Sequence, residues 1–139
     1  MPTGQRLTAD NISTDAIKAI LASAGIVASD YGDGDLIIQS TYDALGCIVR
    51  LRKTKTVFRV TTNCGFKDSV PRTQRLSCAN NINGQYPLAN AYVENDRIYF
   101  CRDIIVTGGI TEANLVDTVK SFMKIPVAAL KEYAGGLLE

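Results

Sequence analysis

The first amphipathic pattern of the chain lies close to its N-terminus. Apolar residues recur there three or four positions apart, as on one face of a helix, and they are Leu7, Ile12, Ala16, Ile17, Ile20, Leu21 and Ala24. Thr8 is a favourable N-cap, with Leu7 and Ile12 at the two positions of a hydrophobic staple. Gly25 is typical of a helix end. The pattern therefore predicts a first helix over about residues 9–24.

The next stretch is extended and is interrupted by GDGD, residues 32–35. Alternating Gly and Asp are typical of a turn between extended segments. The acids Asp30, Asp33 and Asp35 raise the alternative of a calcium loop. An EF-hand loop needs ligands at alternate positions and a distal glutamate, and this stretch offers neither. We therefore interpret GDGD as a turn.

Residues 45–62 alternate with the period of a β-strand. Every second residue from Cys47 to Leu51 is apolar, and Phe58, Val60 and Thr62 resume the alternation after a polar turn at 53–56. One apolar and one basic face are typical of an antiparallel hairpin with a solvated side. The cations of this basic hairpin are a candidate partner surface; they are Arg50, Arg52, Lys53, Lys55 and Arg59.

A second helix is predicted over about residues 70–82. Its apolar stripe consists of Val70, Leu76, Ala79 and Ile82. Ser69 can cap it just ahead of Pro71, and Gly84 is expected to stop it. Residues 87–106 then form a second predicted hairpin, whose turn lies at Glu94-Asn95-Asp96.

The last helix is marked by an apolar face after Thr111. That face consists of Leu115, Val116, Val119, Phe122, Met123 and Val127, at helical spacing. Pro126 lies inside the run and is expected to kink the helix or split it in two. The order α-β-β-β-α-β-β-α predicts an α+β domain with a five-stranded antiparallel sheet and its helices packed on one face.

The segment VTGGITEAN, residues 106–114, joins the last strand to the last helix. Strand, glycine turn and helix suggest a phosphate loop at first sight. However, Gly108 and Gly109 are adjacent and no lysine follows, so neither the Walker nor the dinucleotide pattern is present. Thr111 is a suitable N-cap, and the glycines permit a sharp change of chain direction. We interpret the segment as a structural hinge.

Composition and charge exclude several classes of protein. The chain has 139 residues, 46% of them apolar and 21% charged, which fits one globular domain. The net charge of +1 gives no bulk attraction to nucleic acids or membranes. No apolar run approaches the ~20 residues of a membrane span. We expect a single domain over 1–139 with its core at about 7–133, in the cytoplasm, or in the periplasm if a leader has been removed.

The residues that carry chemistry are few. The chain contains no histidine, which closes the usual route to an activated serine or cysteine. The four cysteines are scattered singly, so we expect no zinc site. They are expected to be buried thiols, or to include a Cys64–Cys78 disulfide if the protein is exported. Asp103 is expected to face outward from its strand, toward solvent or Arg102 of a neighbouring copy.

Three segments together resemble a known family. They are the N-terminal helix ending in Ala24-Gly25, ANNING at residues 79–84 followed by an AYV strand, and RDIIVTGGITEANLVDTVKSF at residues 102–122. This combination resembles the YbjN domain family, labelled "putative bacterial sensory transduction regulator". The resemblance runs from about Leu7 to Tyr133 and implies a type III secretion chaperone-like fold. It implies no catalytic residues and no cofactor; the chain departs from common members in lacking tryptophan.

The function expected from these observations is a non-enzymatic protein-interaction module, regulatory or chaperone-like. Its expected partners are proteins, a second copy of the chain among them. One alternative is a small-ligand or nucleotide-binding domain that uses the Gly-Gly turn; another is a weak nucleic-acid binder that uses the basic hairpin. Asn80 and Asn83 are interpreted as structural, with one of them satisfying backbone groups where the helix meets the next strand.

Overall fold

A computed structural model describes residues 6–41, 44–52, 54 and 56–139. Its helices are α1 (Thr14–Ser23), α2 (Arg72–Gln85) and α3 (Glu112–Tyr133). Its strands are β1 (Arg6–Leu7), β2 (Ala28–Tyr31), β3 (Asp35–Ile38), β4 (Cys47–Leu51), β5 (Val57–Gly65), β6 (Ala91–Glu94), β7 (Arg97–Ile105) and β8 (Ile110–Thr111). Their order along the chain is β1-α1-β2-β3-β4-β5-α2-β6-β7-β8-α3.

Helix α1 begins at Thr14, and the predicted start at residue 9 with Thr8 as N-cap is wrong. The N-cap is Ser13, whose hydroxyl accepts the Ala16 amide at 3.0 Å. Thr8 instead opens a turn, because the Asn11 side chain accepts from the Thr8 amide at 2.7 Å. Leu7 is not part of a staple on α1, since it pairs with Ile110 in the β1–β8 ladder.

The end of α1 lies where Gly25 predicts it. Gly25 has φ +81°, a conformation open to glycine at little cost. The Ile26 amide donates to the Leu21 carbonyl at 2.9 Å, and the Gly25 amide donates to the Ala22 carbonyl at 3.0 Å. These two bonds are those of a Schellman motif, which satisfies carbonyls left open at a helix end.

The strands of the described chain form two sheets. The main sheet has six of them, in the spatial order β2-β3-β4-β5-β7-β6, and β1 pairs with β8 in a separate ribbon. All neighbours are antiparallel. The predicted α+β class with an antiparallel sheet is confirmed. The predicted number of five strands and the predicted element order α-β-β-β-α-β-β-α are wrong. Residues 32–34 separate β2 from β3, and Asp35, which was predicted to lie in this turn, is the first residue of β3. Strands β1 and β8 are too short to produce a period in the sequence.

Both predicted hairpins are present. Strands β4 and β5 pair within residues 45–62 in a register that sets Val49 opposite Val60. Strands β6 and β7 pair around the predicted turn, where Asn95 adopts a positive φ of 56°. The alternation in residues 45–62 therefore located β4 and β5 and assigned their side chains to the correct faces, and the turn signal at 94–96 located β6 and β7.

Helix α2 covers Arg72–Gln85 rather than residues 70–82. Its N-cap is Pro71, with no side-chain cap from Ser69. Gly84 lies inside the helix. The helix ends at Gln85, with Tyr86 as its C-cap. Tyr86 precedes Pro87, and the residue before a proline avoids the helical conformation. Val70, Ala79 and Ile82 are buried as predicted, whereas Leu76 is exposed.

Helix α3 continues through Pro126 as one element, so the predicted split does not occur. Proline removes one amide donor from a helix interior. Here the Pro126 ring is buried together with Phe122 and Met123, and this burial offsets part of that loss. Among the described helices, none combines the length and apolar character that a membrane span requires.

The helices pack on one face of the main sheet, the covered face. Helix α1 contacts β2 and β3, α2 contacts β6, and both helices contact α3. The covered face presents a continuous set of buried side chains, among them Leu36, Val49, Phe58, Val60, Ile98 and Phe100. Burial of this set is the main source of stability, at about 1.5–3 kcal/mol for each large apolar side chain.

Candidate functional site

The opposite face of the main sheet, the open face, is the principal surface that the fold leaves for a partner. Strand alternation and register place on it Asp35, Ile37, Ile48, Arg50, Arg59, Thr61, Tyr92, Tyr99, Cys101 and Asp103. Arg50, Tyr92 and Asp103 are exposed, and Ile37 and Ile48 are half-buried. The open face therefore combines charged, aromatic and aliphatic groups within reach of solvent.

Four charged side chains cross the open face as one row. Arg50 lies directly opposite Arg59, and Arg59 lies opposite Asp103. Arg50 donates to Asp35 through Nε at 3.0 Å and Nη2 at 2.8 Å. Arg59 donates to Asp103 through Nε at 2.7 Å and Nη2 at 2.9 Å. We call this set the charge row; its two bidentate pairs hold the planar groups in fixed orientations.

The ion pairs of the charge row shift the pKa of Arg50, Arg59 and Asp103. The hydrogen bond from Arg59 lowers the pKa of Asp103 below its ordinary value, despite partial desolvation of the carboxyl. The hydrogen bonds to Asp35 and Asp103 raise the pKa of Arg50 and Arg59, respectively. The charged forms of Arg50, Arg59 and Asp103 are thus favoured. Asp103 faces outward as predicted, but its partner is Arg59 of the same chain.

Next to the charge row lies an apolar row that contains Ile37 and Ile48, and one row further on lies an aromatic pair. Ile37 lies opposite Ile48, and Ile48 lies opposite Thr61. Tyr92 and Tyr99 stack on neighbouring strands with ring centroids 5.2 Å apart and an interplanar angle of 11°. Tyr92 remains 47% exposed. Sequence reasoning missed this pair, although a turn at residues 94–96 sets these positions opposite each other.

The predicted basic surface is smaller than the sequence suggests. Arg50 and Arg59 each hold a carboxylate in the same chain. Arg52 is exposed, and no hydrogen bond or ion pair joins its side chain to another described residue. Lys53 and Lys55 lie outside the described residues. Asp35 and Asp103 thereby neutralise Arg50 and Arg59, two of the cations of the predicted basic hairpin.

The Gly-Gly turn binds groups of its own chain. Gly108 and Gly109 have φ of +89° and +91°, and Arg6 Nη2 donates to their carbonyls at 3.2 and 3.3 Å. The Gly109 amide donates to the Val106 carbonyl at 2.8 Å. Thr111 is the N-cap of α3 and accepts the Asn114 amide at 3.0 Å. The turn therefore redirects the chain between β7 and α3.

The two asparagines of ANNING have different environments. The Asn83 amide donates to the Ala91 carbonyl at 2.7 Å, and its oxygen accepts the Ala91 amide at 2.7 Å. This pair of bonds joins the end of α2 to the first residue of β6. Asn80 is exposed, and its side chain has no hydrogen-bond partner among the described residues.

The cluster of acids described next and three of the four cysteines lie away from the open face, whereas Cys101 lies on it. Within the described chain, one exposed group of acids has carboxylate oxygens within 4.8 Å of one another: Asp68, Asp96 and Glu139. Exposed acids of this kind occur commonly without an ion. Cys64 and Cys78 are free thiols, as are Cys47 and Cys101. Burial raises the pKa of the Cys47 thiol to about 12, so it is protonated at neutral pH.

Comparisons with known proteins agree with this architecture. The fold is similar to a crystal structure described as "YbjN, a putative transcription regulator from E. coli", with a TM-score of 0.75 at 14% identity, over 92% of this chain and 96% of that one. It is also similar to an uncharacterized protein from Methanothermobacter thermautotrophicus, with a TM-score of 0.65 at 8% identity, over 91% of this chain and 99% of that one. No curated protein matches the chain.

A likeness at such low identity concerns the fold alone. The family itself follows from the sequence, because the model described as "YbjN: Putative bacterial sensory transduction regulator" matches residues 13–128. This match covers most of the three segments that carry the resemblance. The chain therefore belongs to the YbjN family.

Proposed function

We propose that the protein is a non-enzymatic protein-interaction module, regulatory or chaperone-like, and that it binds its partner through the open face. The observation that carries this proposal is the placement of Ile37 and Ile48 beside the fixed charge row, with the Tyr92–Tyr99 stack one row further on. Apolar and aromatic groups at the centre with charges alongside are the usual composition of a protein interface.

Tyr92 is the strongest candidate for an energetic centre of this interface. Tyrosine combines a large apolar area with a polar hydroxyl, and interface hot spots are enriched in it. Stacking on Tyr99 fixes the ring before a partner arrives, so little side-chain entropy is lost on binding. Ile48 extends the same contact area toward β4.

The charge row supplies specificity rather than bulk attraction. It presents acids at both ends and arginines between them, so it attracts only a surface with the complementary arrangement. Since both arginines already hold carboxylates, they offer little free positive charge to phosphate groups. This arrangement favours a protein partner over a nucleic acid.

An enzymatic role is not proposed for the open face. The chain has no histidine, and the carboxylates of Asp35 and Asp103 are each held by two arginine donors. The pKa of Asp103 is also lowered by its hydrogen bond from Arg59, which makes that carboxylate a poor general base near neutral pH. The description of the family as a regulator is consistent with this view.

Co-purification from the native source tests the proposal. The wild-type chain is compared with Ile48→Glu, which adds charge to the open face, and with Leu76→Glu, a matched change at an exposed position on α2. We expect saturable recovery of the same protein with the wild type and Leu76→Glu, and its loss with Ile48→Glu. Equal recovery with all three chains would contradict the proposal, as would recovery of no saturable protein.

A second copy of the chain is one partner that the open face would accept. Light scattering over a concentration series measures the molar mass of the same three chains. If the partner is a second copy, the wild type and Leu76→Glu form dimers and Ile48→Glu stays monomeric. A monomer at high micromolar concentration for all three chains excludes self-association and leaves a different protein as the partner.

A further inference from the structure

A cleft on the covered side of the fold contains a cation that no described residue neutralises. The cleft lies between the C-terminal end of β7 and the first half of α3, and its volume is about 360 Å³. Its walls are formed mainly by Leu88, Ile104, Ile110, Phe122 and Ile125. Arg102 lies among these apolar side chains.

Arg102 occupies the covered face because of the strand register. It lies opposite Val60, a fully buried core residue. Its neighbours on the same side of β7 are Phe100, which is fully buried, and Ile104, which packs against the core. A position of this kind normally holds an apolar residue, and a guanidinium keeps its charge there.

The guanidinium of Arg102 lacks a partner in the described chain. Its Nε atom is buried and has no hydrogen-bond acceptor. No described carboxylate comes within 4.0 Å of its nitrogens. Leaving a buried donor unsatisfied is unfavourable, and more so when the group is charged. The unsatisfied Nε group of Arg102 lies at a cleft that opens to solvent.

The second charge of the cleft restricts what can satisfy Arg102. Asp117, an exposed residue of α3, lines the same cleft without pairing with the arginine. Its carboxylate repels a second negative charge on a ligand, so a phosphate or a dicarboxylate is disfavoured relative to a monoanion. The apolar walls require an apolar body on that ligand.

We propose that this cleft binds a small monocarboxylic acid with an apolar body, and that Arg102 holds its carboxylate. The Nε and Nη groups of an arginine match the two oxygens of a carboxylate in a bidentate pair. The cleft is at the small end of the size range of ligand pockets, about 300–1,000 Å³. It lies on the opposite side of the sheet from the open face, so either proposal can fail without the other.

The test is an NMR titration of the full chain labelled with ¹⁵N, in which the arginine side-chain Nε–H signals are followed together with the backbone amide signals of the cleft residues Ile110 and Asn114, which remain observable in every variant. The Arg102 signal is the one missing from Arg102→Gln. The probe is 3-phenylpropionate, compared with its neutral amide. We expect saturable movement of the Arg102 signal with the acid, and affinity lower by about ten- to a hundredfold for the amide and for Arg102→Gln. Arg72→Gln, the same change at an exposed site on α2, should bind as the wild type does.

A second experiment uses Asp117 and does not depend on whether the Arg102→Gln variant folds. The dianion benzylmalonate should bind the wild type more weakly than 3-phenylpropionate, and Asp117→Asn should reduce that difference. The inference is overturned if the Arg102 signal does not move at millimolar acid, if the amide binds as tightly as the acid, or if Arg102→Gln binds normally. An acetylated peptide ending in free phenylalanine that binds more tightly than 3-phenylpropionate would also overturn it, in favour of a protein C-terminus.

Discussion

Arg50 and Arg59 lie directly opposite each other on neighbouring strands, an arrangement that is destabilising for two like charges. Asp35 and Asp103 lie on the outer side of the two arginines and draw their guanidinium groups apart, each through a bidentate contact. Asp35 and Asp103 therefore reduce the repulsion between Arg50 and Arg59, and this allows the two arginines to lie at directly opposite positions on neighbouring strands. Removing either acid should leave an unshielded repulsion.

We predict that Asp103→Asn lowers the free energy of unfolding at pH 7 by about 1 kcal/mol or less, because the pair is solvent-exposed. The pKa of Asp103 is lowered from 3.8 in the folded chain. Its contribution is therefore complete above that value and is lost as the pH falls through the folded pKa. Urea unfolding of wild type and variant from pH 7 to pH 2 measures this difference.

The two unfolding curves should converge at the acidic end of that series. Asp33→Asn is the control, because Asp33 is an exposed turn residue whose side chain has no partner in the described chain. It should change stability little at any pH. A difference between Asp103→Asn and wild type that stays constant down to pH 2 would contradict the role given to the Arg59–Asp103 pair.

The thiols provide a second prediction at this scale. All four cysteines are free, and burial raises the pKa of each thiol. Thiolate is the reactive form, so thiol reagents should label the native protein slowly, with half-buried Cys64 first. Four thiols should react at once in denaturant without reductant. Two reactive thiols in place of four would indicate a disulfide.

At the scale of elements, the turn between β7 and α3 requires glycine. Gly109 has φ +91°, and a Cβ there would come within 2.9 Å of Arg6 Nε. We predict that Gly109→Ala lowers the free energy of unfolding by about 1–3 kcal/mol. Thermal and urea unfolding measure the change.

Gly84 is a matched control for that substitution. It lies inside α2, has no positive φ, and a Cβ there would meet nothing within 4 Å. Gly84→Ala should therefore raise stability by about 0.4–1 kcal/mol, since alanine restricts the unfolded chain. The opposite signs of the two changes are the diagnostic result; equal destabilisation by both would show that the turn imposes no special conformation.

The junction of α2 with β6 depends on one side chain. Asn83 both donates to and accepts from the backbone of Ala91. Asn83→Ala should cost about 1–2 kcal/mol of stability, because two partly buried backbone groups lose their partners. Asn80→Ala, at an exposed position of the same helix, should stay within about 0.5 kcal/mol of wild type. Similar losses for the two variants would contradict the junction role.

The accuracy of the sequence predictions differs among elements for physical reasons. Strands β4 and β5 produce a period of two because only one face is buried, so their positions and faces could be predicted. The start of α1 could not, because Thr8 and Ser13 both suit an N-cap and the choice depends on Asn11 and the pairing of Leu7 with Ile110. That pairing links distant parts of the chain.

The open face shows the same limit. Sequence alternation identified Arg50 and Arg59 as outward-facing cations, but their neutralisation depends on the spatial order β3-β4-β5-β7. Neither partner is a sequence neighbour, since Asp35 was assigned to a turn and Asp103 to a different hairpin. Arg102 was treated only as a possible partner for Asp103, because a local pattern cannot show that its covered-face neighbours leave it without an acceptor.

At the scale of the whole molecule, the main sheet separates the hydrophobic core from the proposed partner surface. The covered face carries the hydrophobic core and, at one end, the Arg102 cleft. The open face carries the Tyr92–Tyr99 stack, the apolar row and the charge row. Because stability resides on the covered face, the side chains of the open face are free to be adapted to a partner.

The most direct test is the dissociation constant for the partner recovered by co-purification, measured with the wild type, Ile48→Glu and Leu76→Glu after circular dichroism has shown that all three are folded. An interface centred on the open face predicts that Ile48→Glu weakens binding by about tenfold or more, equivalent to at least about 1.4 kcal/mol, while Leu76→Glu binds as the wild type does. Unchanged affinity for Ile48→Glu, with or without a loss for Leu76→Glu, would contradict the account.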